Sequence, residues 1–463
     1  MALAMGWLKA VFVRQYADIP KHEWPRALLL SAYFFLLIAT YWILKPVKRG
    51  LLIDHFSHAP LHFLKYRLGG AEAEQVGKVL DMLFAYLAVI LFTWMARRLA
   101  RERLVLVFAG CFAAAFALYA RALAHPGEFT VWTLYVLGDM FNTLMVGLFW
   151  AYTNDLTTAD GAKRTYGIIG LGGVLGGFAG ATVVSSMVRD VGRAPLLLFC
   201  IVPMAGIAVI AVAVRRLDAA AKGRRSAAII PPEPRETSAA LEGARLVFQS
   251  WYLVSIAGIV ASYELVSNVV DFQLAVTVEH HIGHALGKDA FFANVGQAIG
   301  AISILVQLLL TGFVMQKFGL RAALLFLPVA VALGSMGFLA LPALAFAAAI
   351  SISDNALNYS INQSAKEALY TPTSADEKYK AKAFIDMFVQ RMAKGASVVF
   401  NLASAAIAVT AVRWLSLVTL AIVAIWLTMV FAASRGFREM TEPGDPGDTT
   451  SKPPVLGEES EAA

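Results

Sequence analysis

Apolar windows of about 20 residues succeed one another along nearly the whole chain, separated by short polar loops. Wound as a helix at about 1.5 Å per residue, such a window crosses a hydrocarbon core of ~30 Å. The pattern predicts twelve spans, at about 25–45, 73–96, 103–123, 129–152, 166–188, 195–214, 248–276, 290–315, 320–340, 342–364, 382–410 and 413–433. Backbone groups in lipid must be bonded within their own segment, so these windows read as helices. The expected fold class is an all-α integral membrane protein with about 12 transmembrane helices.

Polar residues inside the spans recur at helical spacing. Asp354, Asn358, Asn362 and Lys366 follow at i, i+4, i+8 and i+12 in the tenth span, with Ser351, Asn355 and Gln363 beside them. Glu264, Asn268 and Asp271 do the same in the seventh, and Asp386, Gln390 and Lys394 in the eleventh. Asp139, Asn142 and Thr143 mark the fourth span, Lys78 and Asp81 the second, Tyr41 and Lys45 the first. Residues at this spacing share one face of a helix, and ionisable groups at membrane depth face a partner or a watered path. They could pair only with each other to hold the bundle. So many buried charges are costly packing, however, and a solvated cavity for an anionic, hydrogen-bonding cargo fits better.

Composition agrees: 59% of the 463 residues are hydrophobic, 15% are charged, and the mean hydropathy is +0.65. The net charge of +7 sits in short loops, where topology explains it without nucleic acid. Lys and Arg mark cytoplasmic loops. Arg97, Arg98, Arg101 and Arg103, then Lys163 and Arg164, then the basic stretch from Arg215, fall on alternate loops, which predicts that both termini are cytoplasmic. The 46–70 loop breaks this rule, because Lys48, Arg49, Lys65 and Arg67 would lie outside.

The first residues lack a small-residue cleavage site after their short apolar patch and read as an interfacial helix. Residues 216–243 are rich in Ala, Arg and Pro and read as a linker; the end has the Pro, Gly and acidic makeup of a disordered tail. The expected domains are an N-terminal segment 1–24, a six-helix half 25–215, the linker 216–243, a second six-helix half 244–436 and a tail 437–463. MARRLARERLVL and MQKFGLRAALL occupy equivalent turns in the two halves. Six plus six with related halves is the plan of the major facilitator fold, a pseudo-symmetric bundle that holds its substrate between the halves.

Gly172, Gly176 and Gly180 in GIIGLGGVLGGFAG are spaced for close helix packing or a hinge, and the run has neither the Lys-Ser/Thr end of a phosphate loop nor a GxGxxG frame. Without an ATPase motif, transport would run on a gradient or by exchange. Cys111 and Cys200 lie within spans and lack CxxC spacing, and His280, His281 and His284 fall in an expected external loop. No cofactor, metal site or catalytic constellation is expected, and the protein is taken as a monomer.

Three stretches carry a resemblance: YWILKPVKRG at 41–50, LFWAYTNDLTTADGAKRTYGIIGLGG at 148–173, and NYSINQSAKEALYTPTSADEKYKAKAFIDMFVQRMAKGAS at 358–397. The sequence resembles the nucleotide transport proteins, the ATP/ADP translocases of plastids and intracellular bacteria. The resemblance implies a carrier in a bacterial inner membrane that exchanges nucleotides, with charged residues inside the spans required. The lysine of the ILKP motif falls on Lys45, the acid of the fourth span on Asp139, that of the seventh on Asp271, and the lysines of a GKAAID-like motif on Lys380 and Lys382. VVDFQLAV at 269–276 departs from the family's LVEVTWK-like residues, Lys48 and Arg49 stand where it tends to have Arg-Asp, and Tyr166-Gly167 replaces a tyrosine-proline step.

The candidate substrate-binding residues are Lys45, Asp139, Asn154, Asp155, Glu264, Asn268, Asp271, Asp354, Asn358, Asn362, Lys380, Lys382, Asp386 and Lys394, with Tyr152 or Tyr359 as candidates for stacking on a base. The alternatives are a proton-coupled permease or exporter for another anionic or phosphorylated solute, and a membrane-embedded enzyme or scaffold.

Overall fold

The computed structural model describes residues 20–63, 66–96, 98–157, 159–222, 236–374, 380–407 and 409–441. The expected interfacial helix therefore lies mostly outside the described residues, as do the middle of the linker and most of the tail. The first six passages are Trp24–His58, Gly70–Ala96, Arg101–Ala122, Glu128–Leu156, Ala159–Val191, and Arg193–Phe199 continuing as Ile201–Lys222. A helix at Glu236–Gln249 comes after them. The next six are Trp251–His281, Ala285–Leu305 continuing to Lys317, Gly319–Ala340, Leu344–Leu357 continuing to Leu369, Lys382–Phe384 continuing to Ile407, and Leu415–Thr441.

Among the described residues, ten helices are long and apolar enough to cross a membrane. The tenth and eleventh passages are those that the polar stripes interrupt, and π turns break both, at Asn358–Asn362 and Ile385–Val389. The fold class is thus the all-α membrane bundle expected.

The first span differs from its expected form. Its apolar window stops at about residue 45, just before a proline, yet the helix runs through Pro46 to His58. A proline removes one main-chain bond and kinks a helix without necessarily ending it. Lys48 and Arg49 are consequently buried residues of the span rather than loop charges, so they drop out of the loop count. What remains of that loop forms a two-stranded ribbon, β1 Leu61–Phe63 antiparallel to β2 Tyr66–Leu68.

Two apolar cores form, one around Tyr33, Phe116, Phe141 and Phe149, the other around Phe272, Phe338 and Trp426. Lipid tails are as apolar as these side chains, so close packing rather than escape from water holds the helices. The glycine run shows how. A Cβ at Gly172, Gly176 or Gly180 would collide with the carbonyl oxygen of Ser31, Phe35 or Ala39 in turn, one helical turn apart along the first span. The first and fifth spans therefore meet backbone to backbone. Gly192, at φ 79°, makes the turn between the fifth and sixth spans, where a side chain would be strained.

Candidate functional site

A cavity of about 230 Å³ lies where the first, second, fourth, seventh, tenth and eleventh spans converge. Its basic lining residues are Lys45, Lys48, Arg49, Lys78 and Lys394, and its acidic ones Glu74, Asp81, Asp139, Glu264 and Asp271. Tyr41, Tyr135, Tyr263 and Tyr359 add aromatic faces, and Ser267, Asn268 and Asn355 add short polar groups. A recess of about 50 Å³ adjoins it, sharing Lys45, Arg49, Asp271 and Asn355 with the cavity and closing on Trp42 and Phe292.

Most of these charges are already committed. Lys48 donates to the carboxylate of Asp139 and to the carbonyl of Tyr135 at 3.3 Å, and lies over the Tyr135 ring. Arg49 pairs with Glu74 at 2.8 Å, donates to Asp271 at 2.7 Å, and stacks on Phe292. Lys78 donates to the other oxygen of Asp271, also at 2.7 Å. One carboxylate of the seventh span thus takes two cations from the first and second spans. Burial in low dielectric makes such pairs stable only when each partner is satisfied.

Lys45 and Lys394 are different. Both line the cavity, one from each half, and among the described residues neither has an acid within ion-pair distance. Lys45 sits 4.7 Å from the Trp42 ring centre. Two strongly hydrated point charges lining one cavity suit a polyanion.

Six of the candidates, Lys45, Asp139, Glu264, Asn268, Asp271 and Lys394, line the cavity. Glu264 accepts from Gln390 at 2.5 Å, and the Asn268 side chain is turned to the Glu264 carbonyl. The remaining eight lie elsewhere. Asp354 is buried just behind the wall, accepting from Ser267 at 2.6 Å. Asn362 donates to Asn358 at 2.9 Å within the π turn. Asn154 binds Tyr166, Asp155 pairs with Arg101, Lys380 with Glu242 and Lys382 with Glu367, all toward the end of the bundle that carries the linker. Asp386 stands beside Lys366 and Lys382.

The tenth span presents Ser351, Asn355 and Tyr359 to the two cavities, a face next to the expected one. Ser351, Asn355 and Tyr359 form their own i, i+4 row beside the row of Asp354 and Asn358, and the π turn shifts the register only for the residues after it. Sequence spacing also missed Lys48, Arg49, Glu74, Tyr135 and Tyr263. Arg49 could have been found only by carrying the first helix past Pro46, whereas Glu74 lies inside the expected second span, one turn before Lys78. Of the stacking candidates, Tyr359 lines the cavity at 55% exposure, whereas Tyr152 is buried and donates to the carbonyl of Ala211.

The chain is similar over nearly its full length to known carriers. It is 24% identical over 487 residues to the "ADP,ATP carrier protein 1" of Chlamydia pneumoniae, covering 88% of this chain and 90% of that one. It is 24% identical over 481 residues to the "Plastidic ATP/ADP-transporter" of Solanum tuberosum, covering 90% and 74%. Solved structures share the fold: a POT family transporter with a bound peptide conjugate, at TM-score 0.62 and 11% identity over 92% of this chain and all of that one, and a nucleoside transporter at TM-score 0.56 and 12% identity over 90% and all. The family model of the TLC ATP/ADP transporter matches residues 122–437, more than half the chain. The chain, a helical membrane protein of major-facilitator type, therefore belongs to the TLC ATP/ADP transporter family.

Proposed function

We propose that the protein exchanges nucleotides across the bacterial inner membrane, ATP against ADP or related nucleotides, by alternating access of its two halves around the charged cavity. The observation that carries this reading is the pair of uncommitted ammonium groups, Lys45 and Lys394, set in opposite halves of a cavity whose other basic groups have acidic partners. Cargo phosphates bind these two first and then compete with Asp271 for Arg49 and Lys78. Tyr359 offers a face for the base. The present cavity is smaller than the roughly 300–1,000 Å³ of ordinary ligand sites, so cargo entry goes with a widening between the halves.

Exchange rests on the same charges. An empty carrier has Asp271 clamped by two cations from the other half, and rocking without cargo would pull these buried charges apart, at a cost of several kcal/mol, roughly. Cargo that substitutes for Asp271 lets the halves part. We place both termini and the linker on the cytoplasmic side, with residues 25–215 and 244–436 as the moving halves and the chain acting as a monomer in the bilayer.

The test is uptake of labelled ATP into proteoliposomes loaded with ADP, with ATP or with nothing. Uptake that requires internal nucleotide and falls in Lys45→Ala and Lys394→Ala supports exchange at this site; no uptake by folded protein under any loading overturns the nucleotide cargo. The second reading, proton-coupled movement of another anionic or phosphorylated solute, draws on Asp354 and Glu264, whose partners are Ser267 and Gln390 rather than cations. Uptake driven by a pH gradient without counter-substrate would favour it.

A further inference from the structure

Three polar links join the halves at one end of the bundle, where the first, fifth and seventh spans finish and the second, sixth and eighth begin. Glu279, in the last turns of the seventh span, accepts from the backbone N–H of Gly70 at 2.8 Å and of Ala71 at 2.7 Å, one oxygen to each. Arg193 donates to both oxygens of Asp289, at 2.6 and 2.9 Å, and to the carbonyl of Ala285 at 3.3 Å. Lys288 donates to Asp54 at 3.2 Å and to Ser57 at 3.4 Å. Lys288 and Asp289 are buried, at 1% and 0% exposure.

Two glycines mark the same places. A Cβ at Gly50 would collide with the Asp289 carboxylate, and one at Gly70 with the backbone of Ile53. The first leaves room for the interhalf contact at Asp289, and the second sets the close approach of the first two spans within the N-terminal half.

We propose that Glu279, with the Arg193–Asp289 and Lys288–Asp54 pairs, is an interhalf latch that keeps this end of the carrier shut, Glu279 being a positioning residue for the second span. The second span carries Glu74, Lys78 and Asp81 into the cavity. The first N–H groups of a helix have no partner within it and form its positive end. In the second span two of them are satisfied by a carboxylate from the other half, so closing this end also fixes the height at which Lys78 meets Asp271. Opening hands the same N–H groups, and the charges of Arg193, Asp289, Lys288 and Asp54, to water, which solvates them well. A closed latch of this kind is specific, and its opening leaves no buried polar group orphaned. The proposal rests on the alternating-access reading, and its test uses no nucleotide, so the two fail separately.

The experiment is distance measurement by double electron–electron resonance. Spin labels go at His125→Cys and Leu341→Cys, exposed loop positions of the two halves at this end, in a background with Cys111→Ser and Cys200→Ala. The unmutated latch is expected to give one short-distance population. Glu279→Ala, Asp289→Asn and Gly50→Ala are each expected to add a longer population, with Glu279→Asp intermediate. Gly50→Ala removes no charge, which covers the case in which a charge variant does not fold. Folded variants that keep the unmutated distance distribution, whether or not their melting temperature falls, would show a structural cap only and overturn the latch.

Discussion

Replacing Asp271 with Asn tests whether cargo competes with an internal carboxylate. Asp271 accepts one charge-assisted bond from Arg49 and one from Lys78. Such bonds are worth roughly 1.5–3 kcal/mol each, and at 29% side-chain exposure screening favours the lower figure. Two bonds at about 1.5 give ~3 kcal/mol that phosphates must offset to take over both cations. At about 1.4 kcal/mol per decade, this is roughly a hundredfold in affinity. Asp271→Asn keeps the shape and the Arg49 bond to the main-chain carbonyl but removes the competing charge. Nucleotide is therefore expected to bind more tightly, by up to about a hundredfold, while exchange slows because no seventh-span carboxylate reclaims Arg49 and Lys78 when cargo leaves, Glu74 alone being left to Arg49. Titration calorimetry on purified protein gives the affinity, and ADP-loaded proteoliposomes give the rate. Weaker or unchanged binding by folded Asp271→Asn would refute the competition.

The other substitutions separate the cavity from its surroundings. Lys45→Ala and Lys394→Ala should each lower ATP exchange at least tenfold or so, the loss of about one charge-assisted bond, measured in the same proteoliposomes. Lys380→Ala and Lys382→Ala should change it by less than about twofold, since their pairs with Glu242 and Glu367 are largely exposed and such pairs are worth ~0–1 kcal/mol; a large loss would return them to the binding site. Tyr359→Ala should weaken ATP binding about tenfold or more, because base stacking is worth ~1–3 kcal/mol, while leaving binding of inorganic pyrophosphate unchanged. Gly176→Val should lower the melting temperature, as overpacking costs ~1–3 kcal/mol, whereas Gly110→Val, with nothing near its Cβ, should not.

The architecture was legible because the membrane imposes one requirement on every span, internal bonding over a fixed thickness, and hydropathy reports it directly. Each of the twelve expected windows falls on one of the observed helical passages. The small-xxx-small glycines were legible for a related reason, since close backbone approach needs the missing side chain at each turn. Where hydropathy fell short, the cause was a local rule that tertiary structure overrode. Pro46 suggests an end to the first span, yet the helix continues another dozen residues or so and brings Lys48, Arg49 and Gly50 inside. The hairpin at Leu61–Leu68 has only three residues in each strand, too few to leave a pattern.

The site was legible as a kind of place and less so as a set of atoms. Stripes of charge on several spans pointed to one polar interior, and six of the fourteen candidates line a common cavity. Five of the other eight fall in the longest motif, 358–397, which combines three different environments. Within its first π turn Tyr359 lines the cavity while Asn362 donates to Asn358, and beyond it Lys380 and Lys382 pair with Glu242 and Glu367. Spacing assumes a constant 3.6 residues per turn, and π turns are the exception to it. They occur at Asn358–Asn362 and Ile385–Val389, where Asn355 precedes the first turn, Tyr359 lies within it and Lys394 follows the second, and also at Val306–Thr311 in the apolar eighth span. A stripe drawn at constant spacing across such a turn loses its register, so the residues that follow Asn358–Asn362 in the tenth span do not line the cavity with Asn355 and Tyr359.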